Sequence, residues 1–203
     1  MSNSTTSTQT TIASHLVDGV DVPVPGNWII DPGHAEVAFI GRHFMLTKVR
    51  GRFTDVTGVI RIGDDPAQSR VDVTIGTASV TSGSSERDDH LRSPDLFDVD
   101  RFPTATFWAD DVEWSGSHAK VAGHLTIVGI ERPVVLEVDL VGTTVDPWGS
   151  ARAVFSVFTE IDREDWGLTW NVALEAGGVL VSKKIRIEIE LEAILEPAPG
   201  ESA

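Results

Sequence analysis

The most regular feature of this chain is the alternation of apolar and polar residues. Over residues 71–75, Val and Ile alternate with Asp and Thr, and over residues 185–191, Ile and Leu alternate with Arg and Glu. In residues 134–140, Val and Leu at the even positions alternate with Val, Glu and Asp at the odd positions. Alternation with a period of two places one side of a strand on a core and the other side in water. The pattern therefore predicts β-strands over all three segments.

Further strands are predicted where β-branched and aromatic residues cluster between turn signals. They cover residues 35–41, 48–62, 104–114, 119–129 and 150–158. About eight long antiparallel strands, each burying one face, must close into a barrel or stack as a sandwich, because one open sheet would leave that face wet. We favour an all-β fold with a single antiparallel, elongated eight-stranded β-barrel. Eight strands enclose room for side chains or for one slender ligand.

A charged segment, residues 85–98, interrupts the strands. Ser85 followed by Asp88 resembles a capping box and predicts the start of a short helix. Ser93 followed by Pro94 predicts a second helical N-terminus. We therefore expect one or two short helices that lie as a lid over one end of the barrel. Four apolar residues are expected to anchor this lid: Leu91, Leu96, Phe97 and Phe102.

Composition limits the classes of protein that the chain can belong to. With 203 residues, 41% hydrophobic and 23% charged, it is long enough for one globular domain with a core. The absence of cysteine excludes disulfides, thiolate metal sites and cysteine nucleophiles. A formal charge of -15 argues against binding nucleic acid and against docking on a membrane surface of anionic lipid headgroups. No cofactor is expected.

The two termini differ in composition from the rest of the chain. Residues 1–26 are rich in Ser and Thr and are interpreted as a flexible tail, residues 27–195 as the barrel, and residues 196–203 as a disordered tail. The N-terminal stretch has neither the basic start nor the apolar run of a signal peptide. No segment approaches the roughly 20 apolar residues of a membrane helix. We therefore expect a soluble cytoplasmic protein without stable membrane insertion.

Motifs for enzyme chemistry are absent from the sequence. It contains no G-x-S-x-G, P-loop or G-x-G-x-x-G, and its six histidines form no H-x-H or H-E-x-x-H pair, so neither a catalytic nor a metal site is expected. A metal site assembled from separate strands stays open. Asp88, Asp89 and His90 could form an acid/base group. The favoured alternative is that these charges cap and solubilise an exposed helix, with local ion pairs to Arg87 and Arg92.

Two other groups of residues allow both a functional and a structural interpretation. Residues 37–54 contain no acid, and Lys48, Arg50 and Arg52 would share one face of a strand. They form either an anion site or, as we favour, an outer face balanced by acidic cross-strand neighbours. The six tryptophans and eight phenylalanines are expected mainly to fill the core. Sequence alone leaves open whether the barrel is filled or hollow.

Several motifs also resemble a known family. They include "WIIDPGHAEVAFIGRH", "TKVRGRF", "GHLTIVGIERPVVL", "DPWGSARAVFS" and "REDWGLTWN". The most specific is the R-D-x-H-L-R-S-x-D-x-F-D pattern from Arg87 to Asp98, followed by Phe102-Pro103. Between Trp28 and about Glu192 the chain is therefore similar to the YceI-like family of polyisoprenoid-binding proteins.

The resemblance implies a hollow, lipocalin-like barrel that binds a long isoprenoid or similar amphiphile and is not an enzyme. It implies an apolar channel, for which the candidates are Phe39, Phe53, Phe107, Leu125, Ile127, Leu136, Phe155, Trp166 and Trp170. Candidates for contact with a polar headgroup are Arg42, His43, Arg87, His90 and Arg92. Several family members look like dimers, so a homodimer is implied as well. Many are periplasmic, whereas this chain begins with a polar extension.

Three hypotheses about function follow. The leading one is a carrier for a polyisoprenoid, an isoprenoid quinone or a fatty-acid derivative, held in the barrel channel. The second is an enzyme that acts on a prenyl lipid through Asp88, Asp89 and His90. The third is a filled barrel that serves as a protein-interaction module, because a fold alone does not define a function.

Overall fold

We obtained a computed structural model of the chain, and the structure describes residues 13–17, 19–173 and 180–197. The first strands are β1 (Ser14–Val17), β2 (Val20–Pro23), β3 (Gly26–His43), β4 (Thr47–Phe53) and β5 (Val56–Ile62). The later strands are β6 (Arg70–Gly76), β7 (Thr104–Ser115), β8 (His118–Ile127), β9 (Ile130–Val145), β10 (Ala151–Asp162) and β11 (Lys184–Leu195). The described residues also form one α-helix, α1 (Ser85–Arg92), and 3-10 turns at Pro66–Gln68, Thr77–Ser79 and Arg163–Trp166.

Strands β3 to β11 form one antiparallel sheet that closes on itself. The strand order is β11-β10-β9-β8-β7-β6-β5-β3-β4, and β11 also pairs with β3. Strands β4 and β5 share one position in the barrel, since β5 pairs with residues 26–29 of β3 and β4 pairs with residues 37–43. The predicted all-β fold with a closed eight-stranded antiparallel barrel is therefore confirmed.

The alternation in the sequence corresponds to the burial of the strands. In β10, every second residue from Ala151 to Ile161 is buried. Phe155 pairs with Leu140 of β9 and Leu191 of β11, and all three side chains point inwards. The inward faces of all strands together form the barrel interior, as the period of two requires.

Several strands differ from their predicted extents, most clearly β3 and the predicted strand 48–62. Strand β3 starts at Gly26 rather than at residue 35, because its first residues pair with β5 and with the end of β11. The predicted continuous strand 48–62 is interrupted at Thr54 and Asp55, which separate β4 from β5. Both differences follow from long-range pairing, which a local residue pattern does not encode.

The charged segment forms one helix, with different ends from those expected. The N-cap of α1 is Ser84, whose hydroxyl accepts a hydrogen bond from the backbone N–H of Arg87 at 3.5 Å, so the expectation of Ser85 as the cap was wrong by one residue. Ser93 ends α1 as its C-cap rather than starting a second helix. The Ser93 hydroxyl donates a hydrogen bond to the His90 carbonyl and accepts one from the backbone N–H of Asp95. Both hydrogen bonds stabilise the turn that follows α1.

Strand registers define the two ends of the barrel. Because Gly76 pairs with Thr104, Ile127 with Ile130 and Asp162 with Lys184, α1 lies at the same end as the β8–β9 turn and the β10–β11 connection. We call this the α1 end. The opposite end contains the start of β3 and the turn between β9 and β10.

The predicted tails are only partly described. Strands β1 and β2 form a hairpin within the stretch expected to be a tail, and Val22 is buried there. The N–H of Val24 donates to the Ala13 carbonyl, and the N–H of Glu196 donates to the Asn27 carbonyl. Residues 1–12 and 198–203 lie outside the described residues. Within the part that is described, no helix has the length and apolarity needed to span a membrane.

Candidate ligand-binding cavity

The barrel encloses a cavity of about 440 Å³. Its walls are aliphatic and aromatic almost throughout, from Ile60 and Val112 near one end to Ile161 and Ile185 near the other. The lining side chains that are exposed to solvent, Arg42 and Arg87, belong to the α1 end. The cavity therefore reaches the surface at the α1 end and is buried towards the opposite end.

Eight of the nine channel candidates line this cavity. They are Phe39, Phe53, Phe107, Leu125, Ile127, Leu136, Phe155 and Trp170. The ninth, Trp166, is buried outside the lining, and its indole N–H donates to the Leu125 carbonyl at 3.0 Å. Trp166 thus ties the turn after β10 to β8, which places it behind the cavity wall.

The segment after α1 anchors on the barrel rim through aromatic contacts. The Phe97 ring packs edge-on against Phe53, with centroids 5.2 Å apart, and against Phe39 at 6.4 Å. Leu91 and Leu96 line the cavity beside it. The insert therefore contributes apolar side chains to the cavity wall, while the charges of α1 lie mainly outside.

Four of the five headgroup candidates also line the cavity: Arg42, His43, Arg87 and His90. The Arg42 guanidinium donates to the Leu46 carbonyl, and the Arg87 guanidinium donates to Ser82. The fifth candidate, Arg92, instead donates to the Ala78 and Val80 carbonyls and forms an ion pair with Asp89. Arg92 therefore fastens α1 to the preceding loop.

Five cavity-lining residues with polar side-chain groups were not among the candidates: Ser69, Ser82, Trp114, Thr159 and Arg163. Arg163 is 5% exposed, and its Nη2 atom has no hydrogen-bond partner among the described residues. The indole nitrogen of Trp114, at the opposite end, is also buried without a partner in the described part of the chain. Every second residue of β10 is buried up to Ile161, and the same spacing makes Arg163 a buried residue. The inward position of Arg163 could therefore have been predicted from the sequence pattern.

Asp88, Asp89 and His90, the candidate acid/base residues, form contacts that stabilise the local structure. The Asp88 carboxylate accepts hydrogen bonds from the Ser82 N–H at 2.7 Å, the Ser82 hydroxyl and the Thr81 hydroxyl. The Ser82 hydroxyl, helped by the other donors, holds the pKa of Asp88 below its ordinary value. His90 contacts Trp170 and Asp95, while Asp89 is exposed and paired with Arg92.

Two of the three basic residues on the basic strand face, Arg50 and Arg52, are paired with acidic neighbours. Arg50 forms ion pairs with Glu188 at 2.7 Å and Glu36 at 3.4 Å, and Arg52 pairs with Glu36 at 3.1 Å. The hydrogen bond to Glu188 is the main cause that raises the pKa of Arg50. This geometry matches the structural interpretation of the basic stretch as an outer face.

One group of described side chains has a spacing suited to a metal ion, namely Asp31, His34 and Glu192. However, the Arg152 guanidinium donates to Asp31 at 3.0 Å, to Glu192 at 3.1 Å and to Asp146 at 2.9 Å. The position that a cation would take is therefore occupied by the guanidinium. The hydrogen bond from Arg152 is the main cause that holds the pKa of Asp31 below its ordinary value. The pKa of Asp146 is also lowered, first by the hydrogen bond from the Ser150 backbone N–H and then by Arg152.

Fold and cavity together define a class: a closed, lipocalin-like antiparallel β-barrel with a hollow apolar interior and one short helix at its mouth. Residues 28–193 match the model of the YceI-like domain. The chain therefore belongs to the YceI-like domain family.

Individual relatives agree with this assignment. Protein YceI of Salmonella newport is 34% identical over 162 residues, which cover 79% of this chain and 82% of the relative. The crystal structure of the Campylobacter jejuni YceI protein superposes with a TM-score of 0.66 at 30% identity, over 77% of this chain and 90% of that one. A polyisoprenoid-binding domain from Saccharophagus degradans has the same fold, with a TM-score of 0.60 at 15% identity over 85% of this chain and all (100%) of that chain.

Proposed function

We propose that this protein is a non-catalytic carrier that holds the apolar chain of a long amphiphile inside its barrel. The ligand would be a polyisoprenoid, an isoprenoid quinone or a fatty-acid derivative. The observation that carries the proposal is the apolar cavity of about 440 Å³. Mostly apolar cavities of about 300–1,000 Å³ are typical ligand sites. The fold shared with a polyisoprenoid-binding domain agrees with such a ligand.

Burial of the chain would supply most of the affinity. Each methylene-sized group moved from water to an apolar site contributes about 0.8 kcal/mol. Ten such groups give roughly 8 kcal/mol before the cost of ordering the ligand. An exposed ion pair to a headgroup contributes about 0.2–1 kcal/mol. The length of the apolar chain should therefore dominate affinity, and the headgroup should decide between ligands of equal length.

The non-catalytic part of the proposal rests on the state of Asp88. A general acid or base that works near neutral pH needs a pKa close to that pH. The pKa of Asp88 is shifted the other way, and its oxygens bind Ser82 and Thr81. Asp88 is therefore better suited to holding the loop onto α1 than to transferring protons.

Native mass spectrometry of the freshly purified protein, followed by solvent extraction, tests the proposal directly. We expect an added mass that extracts as an isoprenoid or acyl lipid. A bare polypeptide mass that is unchanged after incubation with polyprenyl lipids, quinones and fatty acids would contradict the proposal. That result would favour the alternative of a protein-interaction module.

A pair of variants on one strand separates loading from folding. Phe155 is buried and lines the cavity, whereas Phe158 on the same strand is 39% exposed and faces outwards. Phe155→Asn places an unpaired amide in the apolar wall, which costs about 1–3 kcal/mol, and should strongly reduce lipid loading. Phe158→Asn should load like the unaltered protein. Equal lipid content in both folded variants would contradict the carrier function.

The cytoplasmic location and the homodimer remain predictions. Cell fractionation tests the location, and sedimentation at several protein concentrations tests the dimer. The carrier proposal depends on neither, because the cavity is formed by one chain.

A further inference from the structure

The turn between β3 and β4 exposes three consecutive large apolar side chains. Phe44 is 49% exposed, Met45 is 49% exposed and Leu46 is 79% exposed. Single apolar residues are common on protein surfaces, whereas a run of them at the tip of a hairpin forms one continuous patch. Such patches mark places where a protein contacts a membrane or a partner. We call these three residues the apolar tip.

The backbone of the apolar tip disfavours the residues that occupy it. The Leu46 N–H donates to the His43 carbonyl at 3.0 Å and closes the turn, and the central residues Phe44 and Met45 have φ angles of 51° and 60°. Positive φ at both central positions favours Asn-Gly, and bulky residues adopt it only with strain. Backbone strain of this kind is concentrated at functional sites. The apolar side chains therefore point to a role beyond folding.

The apolar tip borders the mouth of the cavity. The Phe44 N–H donates to the Leu180 carbonyl at 2.8 Å, and His43 forms a β-bridge with Val181. His43, Leu180 and Val181 all line the cavity. Val172, whose carbonyl accepts from the Leu180 N–H, adds a further apolar side chain that is 44% exposed. A surface that contacts the apolar tip is therefore next to the cavity opening.

We propose that the apolar tip inserts reversibly into the surface of a phospholipid bilayer, so that the ligand passes between the membrane and the cavity without crossing water. This inference rests on the carrier function proposed above and adds the place where the ligand is exchanged. The apolar chain of a long amphiphile is unfavourable in water, so a direct passage avoids the least favourable step of its transfer.

The size and charge of the apolar tip favour a bilayer over a protein partner. A specific protein interface uses about 20–30 residues on each side, whereas three apolar side chains suit insertion at the boundary between headgroups and acyl chains. Arg42 and Lys48 are cross-strand neighbours beside the tip, and residues 37–54 contain no acid. These cations favour anionic headgroups locally, while the formal charge of -15 on the whole chain opposes a wider contact. The contact is therefore confined to the tip and reversible.

Flotation with vesicles tests the docking itself. Delipidated full-length protein is centrifuged through a density gradient with vesicles of phosphatidylcholine and phosphatidylglycerol. We expect the unaltered protein to float with the vesicles, and Met45→Ser combined with Leu46→Ser to lower its partitioning at least about 10-fold. Trp148→Ser is the matched control, because Trp148 is 85% exposed in the turn at the opposite end. Thermal unfolding verifies that all variants are folded.

Three results of the flotation experiment would overturn the inference. They are an unaltered protein that stays with the buffer, a double variant that floats like the unaltered protein, and an equal loss of flotation in Trp148→Ser. If the unaltered protein does not float and the double substitution instead reduces self-association in sedimentation, the tip contacts a second copy of the chain.

Transfer kinetics test the route of the ligand. Protein loaded with a fluorescent fatty acid is mixed with the same vesicles, and the transfer rate is followed as the vesicle concentration is raised. The rate should rise with vesicle concentration for the unaltered protein and for Trp148→Ser. It should be independent of vesicle concentration for the double variant, because release into water then limits transfer. An independent rate in the unaltered protein would overturn the inference. If the fatty acid does not bind at all, the carrier function fails, and flotation still decides whether the tip docks.

Discussion

The imidazole of His90 packs edge-on against the indole of Trp170, with ring centroids 4.3 Å apart and planes at 81°. His90 belongs to α1, and Trp170 follows the turn after β10, so the contact joins the helix to the far side of the cavity mouth. Both side chains line the cavity at this end, so we expect their contact to slow the release of a ligand.

Trp170→Ala should accelerate ligand dissociation by about 2- to 10-fold, because an aromatic pair contributes about 0.5–1.5 kcal/mol. Stopped-flow release of a fluorescent fatty acid measures the rate. His90→Ala removes the same contact and should have a similar effect. Trp148→Ala is the control, since Trp148 is 85% exposed in the turn between β9 and β10. Equal rates in the Trp148 and Trp170 variants would contradict the role of the contact.

Asp88→Asn should destabilise the protein at pH 7, because an amide cannot replace a carboxylate that accepts from Ser82 and Thr81. The pKa of Asp88 is lowered on folding, so its contribution is present above the ordinary carboxyl pKa of about 3.9 and is lost as pH falls through the lowered value. Urea unfolding between pH 7 and pH 2 should therefore show a steeper acid loss in the unaltered protein than in Asp88→Asn. Asp89→Asn, in the exposed neighbour, should resemble the unaltered protein.

His118 should titrate above the ordinary histidine value. Its two ring nitrogens lie 2.9 Å from carboxylate oxygens of Asp139 and Glu137, which raise its pKa from 6.5. The stabilisation is present below the unfolded pKa and is lost as pH rises through the folded one. NMR titration should show the raised pKa, and Asp139→Asn should lower it more than Glu137→Gln. An unchanged value in both variants would contradict this assignment.

Gly51→Val should obstruct the cavity. The Phe39 ring covers Gly51, and a Cβ atom there would lie 2.3 Å from the end of that ring. The ring would have to move inwards, at a cost of about 1–3 kcal/mol for overpacking. Thermal unfolding should show lower stability, and lipid loading should fall. Gly142→Val is the control, because a Cβ at Gly142 meets no atom within 4 Å in the described structure.

The sequence contained enough information for the burial of one face on each strand. Alternation along β10 and β11 already assigns the inward residues, since successive strand side chains point to opposite faces. Eight such strands cannot stay in an open sheet and must form a barrel or a sandwich, and the pairing of β11 with β3 makes the barrel. The same alternation extends to Arg163, although an arginine at an inward position was not recognised as part of the cavity.

The tertiary structure decided what local patterns do not encode. Phe39 and Trp166 are both aromatic and close to predicted strands, yet Phe39 lines the cavity and Trp166 lies behind its wall. Arg87 and Arg92 share one short helix, yet only Arg87 lines the cavity, because Arg92 is turned towards the Ala78 carbonyl. The sequence by itself determined most of the barrel strands, their inward faces and a short helix in the charged segment. Which side chains surround an empty volume depends on contacts between residues far apart in the chain, and these exist only once the barrel has closed.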